Sequence, residues 1–201
     1  MDFNWLIEKN VVYAKGLSVE PDFITVSISR FHEEGDEQLN GEKELLFSGK
    51  FLLAEDFIEA DSYSSDACYA YESSVYYNNY LKKKFASRGG IENAPMLIMD
   101  EYEFTKPGLE MAVNEKANCI TSAIAKCIPE LLAVGSKGIF FLFLKKEDKD
   151  IYRLLVDEEH LFFTDKEATK QMTGYNNCFG LANSRRAKLL LDVGRYEKAN
   201  E

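Results

Sequence analysis

The stretch "LEMAVNEKANCITSAIAKCIPELLAVGSKGIFFLFL", Leu109 to Leu144, decides the fold. From Asn118 to Val134 the residues Ile120, Ala123, Ile124, Cys127, Ile128 and Leu131 recur at three- and four-residue spacing, which gathers them on one helical face. Asn118 or Thr121 is a suitable cap. Pro129 lies inside the pattern and lacks an N–H, so either the helix bends there or two short helices abut. "GSKG" then ends it. "IFFLFL", Ile139 to Leu144, contains no polar residue, as expected of a strand covered on both faces, and all six side chains should be buried. "LEMAV" reads as a short strand before the helix. Strand, helix and buried strand in that order predict a crossover between parallel strands.

The flanking segments extend this sheet. "APMLIMDEYEF", Ala94 to Phe104, opens with an apolar run and reads as another buried strand, followed by the turn signal "TKPG". "FITVSISRF", Phe23 to Phe31, alternates as a half-buried strand does. The polar loop "HEEGDEQLNGEKE" joins it to a return strand in "ELLFSGKFLLAEDFI", making an antiparallel hairpin. Glu33 to Glu42, at its tip, should be mobile. Cys68, Tyr71, Val75, Tyr76 and Tyr80 have helical spacing, with Ser64 or Ser65 as cap and Lys82, Lys83 and Lys84 in the last turns. "KEDKDIYRLLVDEEH" predicts a helix with Ile151, Leu154 and Leu155 inward and Tyr152 as a further candidate for that face. "HLFFTD" and "YNNCFGLANS" are strand-like, and "SRRAKLLLDVGRYEKANE" closes the chain as a helix. No repeat or linker divides residues 1–201. The expectation is a single α+β or α/β domain with a mixed central sheet flanked by helices.

Composition narrows the function. Of 201 residues 46% are apolar, a folded composition, and 34 acidic against 24 basic residues give a net charge of −10. Such a surface repels nucleic acid and anionic membrane. Cys68, Cys119, Cys127 and Cys178 form no CxxC pair and the histidines are only His32 and His160, so no zinc-ligand spacing is present and no metal is expected. Reduced thiols in a cytoplasmic protein follow. "MDFNWLIEKN" lacks the pattern of a signal peptide, and no run approaches the ~18 uninterrupted apolar residues of a membrane span. No GxSxG, HExxH, GxxxxGKS/T or GxGxxG motif occurs.

The order strand "LEMAV", turn, helix, buried strand, helix bearing Tyr152 resembles the core of the GNAT acetyltransferase superfamily over about residues 95–183. The resemblance implies an acyltransferase that moves an acetyl group from acetyl-CoA to an amine. It implies that the strand around Met111 and Val113 pairs with the pantetheine arm. The next turn and helix start, Asn118, Cys119, Ile120, Thr121, Ser122 and Ala123, would hold the pyrophosphate on free amides. Tyr152 would protonate the leaving thiolate, and Glu110 would orient or deprotonate the amine. The family turn is Q/R-x-x-G-x-G/A. Here Asn118 stands at the first position, Thr121 at the first glycine, and only Ala123 agrees. A threonine side chain crowds a phosphate where glycine would admit it. A plain helix start is the other reading of these residues.

The competing function is non-catalytic. The acidic surface and the tyrosine-rich helix with Tyr69, Tyr71, Tyr76, Tyr77 and Tyr80 suit a protein-binding module that meets a basic partner surface, as inhibitors, immunity proteins and phage antagonists do.

Overall fold

The computed structural model describes residues 5–14, 21–31, 43–72, 95–135, 138–157, 163–164 and 175–190. Its strands are β1 (Trp5–Val12), β2 (Asp22–Phe31), β3 (Lys43–Ala54), β4 (Met96–Phe104), β5 (Gly138–Lys145), β6 (Phe163–Thr164) and β7 (Tyr175–Ala182). Its helices are α1 (Phe57–Tyr63), α2 (Ser65–Glu72), α3 (Lys106–Leu109), α4 (Val113–Val134), α5 (Lys149–Asp157) and α6 (Ser184–Leu190). A 3₁₀ turn, Lys146–Asp148, joins β5 to α5. The strands make one seven-stranded sheet in the order β1-β2-β3-β4-β5-β7-β6. β4 and β5 are parallel and the remaining pairs antiparallel, so the sheet is mixed as expected.

Each face has its own core. Under α4, α5 and α6 lie Ile24, Val26, Phe47, Phe51, Met99 and Leu142, packed with Ile120, Ile124, Ile151 and Leu190. Under α1 and α2 lie Leu52, Met96, Ile98 and Phe141, packed with Ala60 of α1 and Tyr71 of α2. Ile139 to Leu144 are all buried, because β5 sits between β4 and β7 with both faces covered. The Ser64 hydroxyl accepts from Ala67 N–H at 3.0 Å and caps α2. The hairpin tip and the segment with Tyr76, Tyr77, Tyr80 and Lys82 to Lys84 lie outside the described residues, as do His32 and His160.

Three elements differ from the sequence expectation. The first is "LEMAV", which is not a strand: Leu109 ends α3, Met111 packs into the core, and Val113 begins α4. Thr105 caps α3 with its hydroxyl, accepting from Gly108 N–H at 3.4 Å, and Pro107 occupies an early helical position that needs no N–H. "TKPG" therefore starts a helical turn instead of merely reversing the chain. The second is α4, which starts five residues before Asn118 and runs unbroken through Pro129, whose exposed position leaves the ring in open space. Two thirds (67%) of its most apolar window is buried, so an apolar length that matches a membrane span is used to cover the sheet. The third is β1, an edge strand with Trp5, Ile7 and Val11 against the core. Lys9 ties it to the end of α4, donating to Lys126 O at 3.2 Å and pairing with Glu130.

The corner after β4 is docked by backbone contact. β3 carries one extra residue, Leu46, opposite the step between Ile28 and Ser29. Its carbonyl accepts from Thr105 N–H at 3.0 Å, and the Thr105 hydroxyl donates to the neighbouring Leu45 carbonyl. Gly108 comes so close that a Cβ there would stand 2.0 Å from Leu46 O.

Candidate functional site

Beyond the middle of the sheet, β4 leaves β5. The two strands pair only from Met96↔Ile139 to Met99↔Leu142, although β4 runs on to Phe104 and β5 to Lys145. β4 stays with β3 and β5 stays with β7. The divergence begins at a bulge. Phe51 faces Met99 and Lys50 faces Glu101, so Asp100 is an extra residue. One extra residue reverses the in–out phase of everything that follows. Leu97 and Met99 before it, and Tyr102 and Phe104 after it, consequently share the α4 face. Asp100 accepts from the Tyr63 hydroxyl of α1 at 2.7 Å, which anchors the bulge from the other side.

Tyr102 spans the divergence. Its ring is stacked on Phe47 at 6.4 Å and set edge-on to Phe104 at 6.0 Å. Its hydroxyl accepts from Lys145 N–H at 2.9 Å and donates to the Asp148 carboxylate. Lys145 Nζ lies 5.2 Å from the ring centroid, within cation–π range. Burial, reinforced by the bond to Asp148, pushes the phenol well above the ordinary tyrosine value. Tyr63 moves the same way for the same two reasons, with Asp100 as the carboxylate.

On the paired strands β3 and β4, Ser48, Lys50, Glu101, Tyr102 and Glu103 line a shallow pocket of about 190 Å³. Lys50 directs its ammonium onto the Phe23 ring, 4.5 Å from the centroid. Glu101 and Glu103, both exposed, face the pocket as carboxylates.

The start of α4 lies past the same end of the sheet. Ala112 at its cap has no side-chain oxygen, so the helix's first amides gain no acceptor from it. Glu115 folds back to accept from Ala112 N–H at 2.9 Å, placing a carboxylate at the positive end of the helix dipole. Lys116 donates to Leu109 O at 2.8 Å and offsets part of that negative charge.

The residues chosen from sequence separate into groups. Asn118, Cys119, Ile120, Thr121, Ser122 and Ala123 form no helix start. They occupy the second and third turns of α4 and are buried, so their amides are spent within the helix. The Thr121 hydroxyl donates to Asn118 O at 3.1 Å, while Asn118 and Ser122 have buried side-chain polar atoms without a hydrogen-bond partner. Met111 is buried in a turn and Val113 is exposed at the first helical position, neither on a strand. Glu110 is exposed after α3. Tyr152 does lie on a helix after β5, half-buried against the core. Glu110, the start of α4 and Tyr152 all follow the carboxyl ends of the parallel strands β4 and β5, the usual ligand-bearing edge of such a pair. Glu101, Tyr102, Glu103, Lys145 and Asp148 were not singled out. The signal for them is the doublet Asp100–Glu101, which interrupts "MLIM" and shifts the phase of "YEF". Cys119 and Cys127 are buried thiols whose pKa burial pushes up, which leaves them inert. Among the described residues no group of three or more His, Cys, Asp or Glu side chains is placed to hold a metal ion.

No family model and no curated protein matches the chain. Among solved structures it is similar to that of an insect putative arylalkylamine N-acetyltransferase 7 from the yellow fever mosquito, at 13% identity. The match covers 79% of this chain and 63% of that one, with a TM-score of 0.36. A likeness of that size carries no argument about activity, and the chain spans less than two thirds of that relative.

Proposed function

We propose that the chain is an acyltransferase that uses an acyl-CoA thioester, acetyl-CoA in the simplest case, and acylates an amine. The divergence of β4 and β5 beyond Met99 and Leu142 supports this reading. Strands that stop pairing leave facing backbone donors and acceptors in need of partners. An extended arm carrying amides supplies such partners in the manner of an added strand. Glu101 and Glu103, on the strand that borders the gap, offer a cationic amine two carboxylates in the pocket over β3 and β4. Tyr152 keeps the proposed role of proton donor to the leaving thiolate, and Glu110 that of a group reaching the amine through water. The pyrophosphate falls to the amides at the start of α4, Val113 and Asn114, with Lys116 beside them and the Glu115 carboxylate swung off Ala112 N–H to make room, in place of the buried Asn118 to Ala123.

The reaction so read forms an amide bond from the amine nitrogen to the acyl carbon and breaks the thioester C–S bond. The amine gives up a proton and the thiolate takes one. Titrating acetyl-CoA while following the melting temperature tests the binding step, since a ligand of the folded state raises it. The expected result is a rise with acetyl-CoA and with free coenzyme A, together with slower amide exchange in Asp100–Phe104 and Phe143–Lys145. No rise at millimolar cofactor removes the proposal.

A further inference from the structure

Tyr102 does more than fill space. Its ring is fixed in the aromatic cluster with Phe47 and Phe104, but its hydroxyl works at the rim, where Lys145 is exposed and Asp148 half-buried. There one oxygen takes the N–H of Lys145 on β5 and gives its proton to Asp148 in the following 3₁₀ turn. It does so past Met99↔Leu142, where the backbone ladder between β4 and β5 has ended. A side chain from one strand thus replaces the missing ladder bond and also holds the turn that leads into α5.

We infer that the Tyr102 hydroxyl is a releasable latch that closes the gap between β4 and β5, and that a ligand arm entering the gap displaces it by offering a carbonyl oxygen to Lys145 N–H. The arrangement suits release. Both hydrogen bonds converge on the terminal atom of one side chain, so a tilt of the ring about its Cα–Cβ bond breaks both at once and leaves the backbone pairing of Met96–Met99 with Ile139–Leu142 in place. Lys145 N–H then needs one acceptor, which an amide carbonyl provides. The ligand half of this statement rests on the acyl-CoA reading, whereas the latch itself does not.

Tyr102→Phe removes the hydroxyl and keeps the ring. Amide exchange of the intact chain, resolved at Lys145, should be at least about tenfold faster in this variant, since an unpartnered rim amide opens without the latch. The amides within Met96–Met99 and Ile139–Leu142 serve as the internal reference and should not change. Asp148→Asn, which weakens the same hydroxyl's anchor without touching the aromatic cluster, should accelerate Lys145 in the same direction. Unaltered exchange at Lys145 in both variants overturns the latch. In the second arm acetyl-CoA is titrated into wild type and Tyr102→Phe. Binding several-fold tighter in the variant supports displacement, and equal or weaker binding overturns it. Faster exchange at Lys145 with no binding to either protein upholds the closure and condemns the acyl-CoA reading alone.

Discussion

Replacing Gly108 by alanine isolates the corner on which the site is mounted. The added Cβ would stand 2.0 Å from the carbonyl oxygen of Leu46, against an ordinary separation of roughly 3.2 Å or more, and the obstacle is backbone. Something must move by about an ångström. Overpacking of this kind costs about 2 kcal/mol. The displaced carbonyl also accepts from Thr105 N–H at 3.0 Å, and losing that bond costs about 1 kcal/mol. Alanine returns about 1 kcal/mol relative to glycine within a helix. The net expectation is a loss of about 2 kcal/mol, which for a chain of this size lowers the melting temperature by roughly 4–8 °C. Urea unfolding of wild type and Gly108→Ala checks it, with a fall in the midpoint at constant slope. Leu109→Ala is the control, because Leu109 is 61% exposed and its loss should change stability by less than about 0.5 kcal/mol. A Gly108→Ala midpoint equal to wild type would show that α3 does not rest on the β3 bulge.

Ser122→Ala should leave stability unchanged or raise it by about 1 kcal/mol in the same urea assay, because Ser122 is fully buried with its hydroxyl unpartnered and the substitution removes that penalty. A loss above about 1 kcal/mol would reveal a partner for the hydroxyl. The raised phenol values of Tyr63 and Tyr102 set an alkaline limit. A group whose folded pKa exceeds its unfolded value stabilises fully below the unfolded value, here 10.0, and that contribution is lost as pH rises beyond it. Melting temperature should therefore fall steeply above about pH 10, and less steeply in Tyr63→Phe; parallel slopes in the two proteins would count against a half-buried, carboxylate-bound Tyr63.

The parts of the fold that were legible in the sequence are those where one physical requirement dominates. Ile139 to Leu144 announce β5 because only a doubly covered strand tolerates six apolar residues in a row. The Ile120, Ile124, Cys127 and Leu131 spacing announces α4 because only a helix collects them on one side. The start of α4 was obscured because Ala112 and Val113 carry no capping chemistry, while "LEMAV" is apolar and short enough to imitate a strand. β1 went unread because Lys9, set among inward residues, breaks the alternation; its role is the pairing with Glu130, 121 residues away in sequence. The candidate site was the least legible, since it depends on where β4 stops following β5, a relation between residues paired 43 apart in sequence. No window of either strand contains it, and the Asp100–Glu101 doublet is its only local trace.

The reach of α4 across the sheet has a consequence in time. β2 and β3 form a hairpin and complete their pairing by Ala54, yet the helix that covers their apolar face ends at Val134, 80 residues later. At about 5–20 residues per second of synthesis, Ile24, Val26, Phe47 and Phe51 wait on the order of 4–16 s with water on the side that α4 will occupy. An emerging hairpin in that state offers an adhesive slab to any neighbour, including another copy still on its ribosome. The nascent chain, before the finished protein exists, is thus the form that most needs protection from self-association.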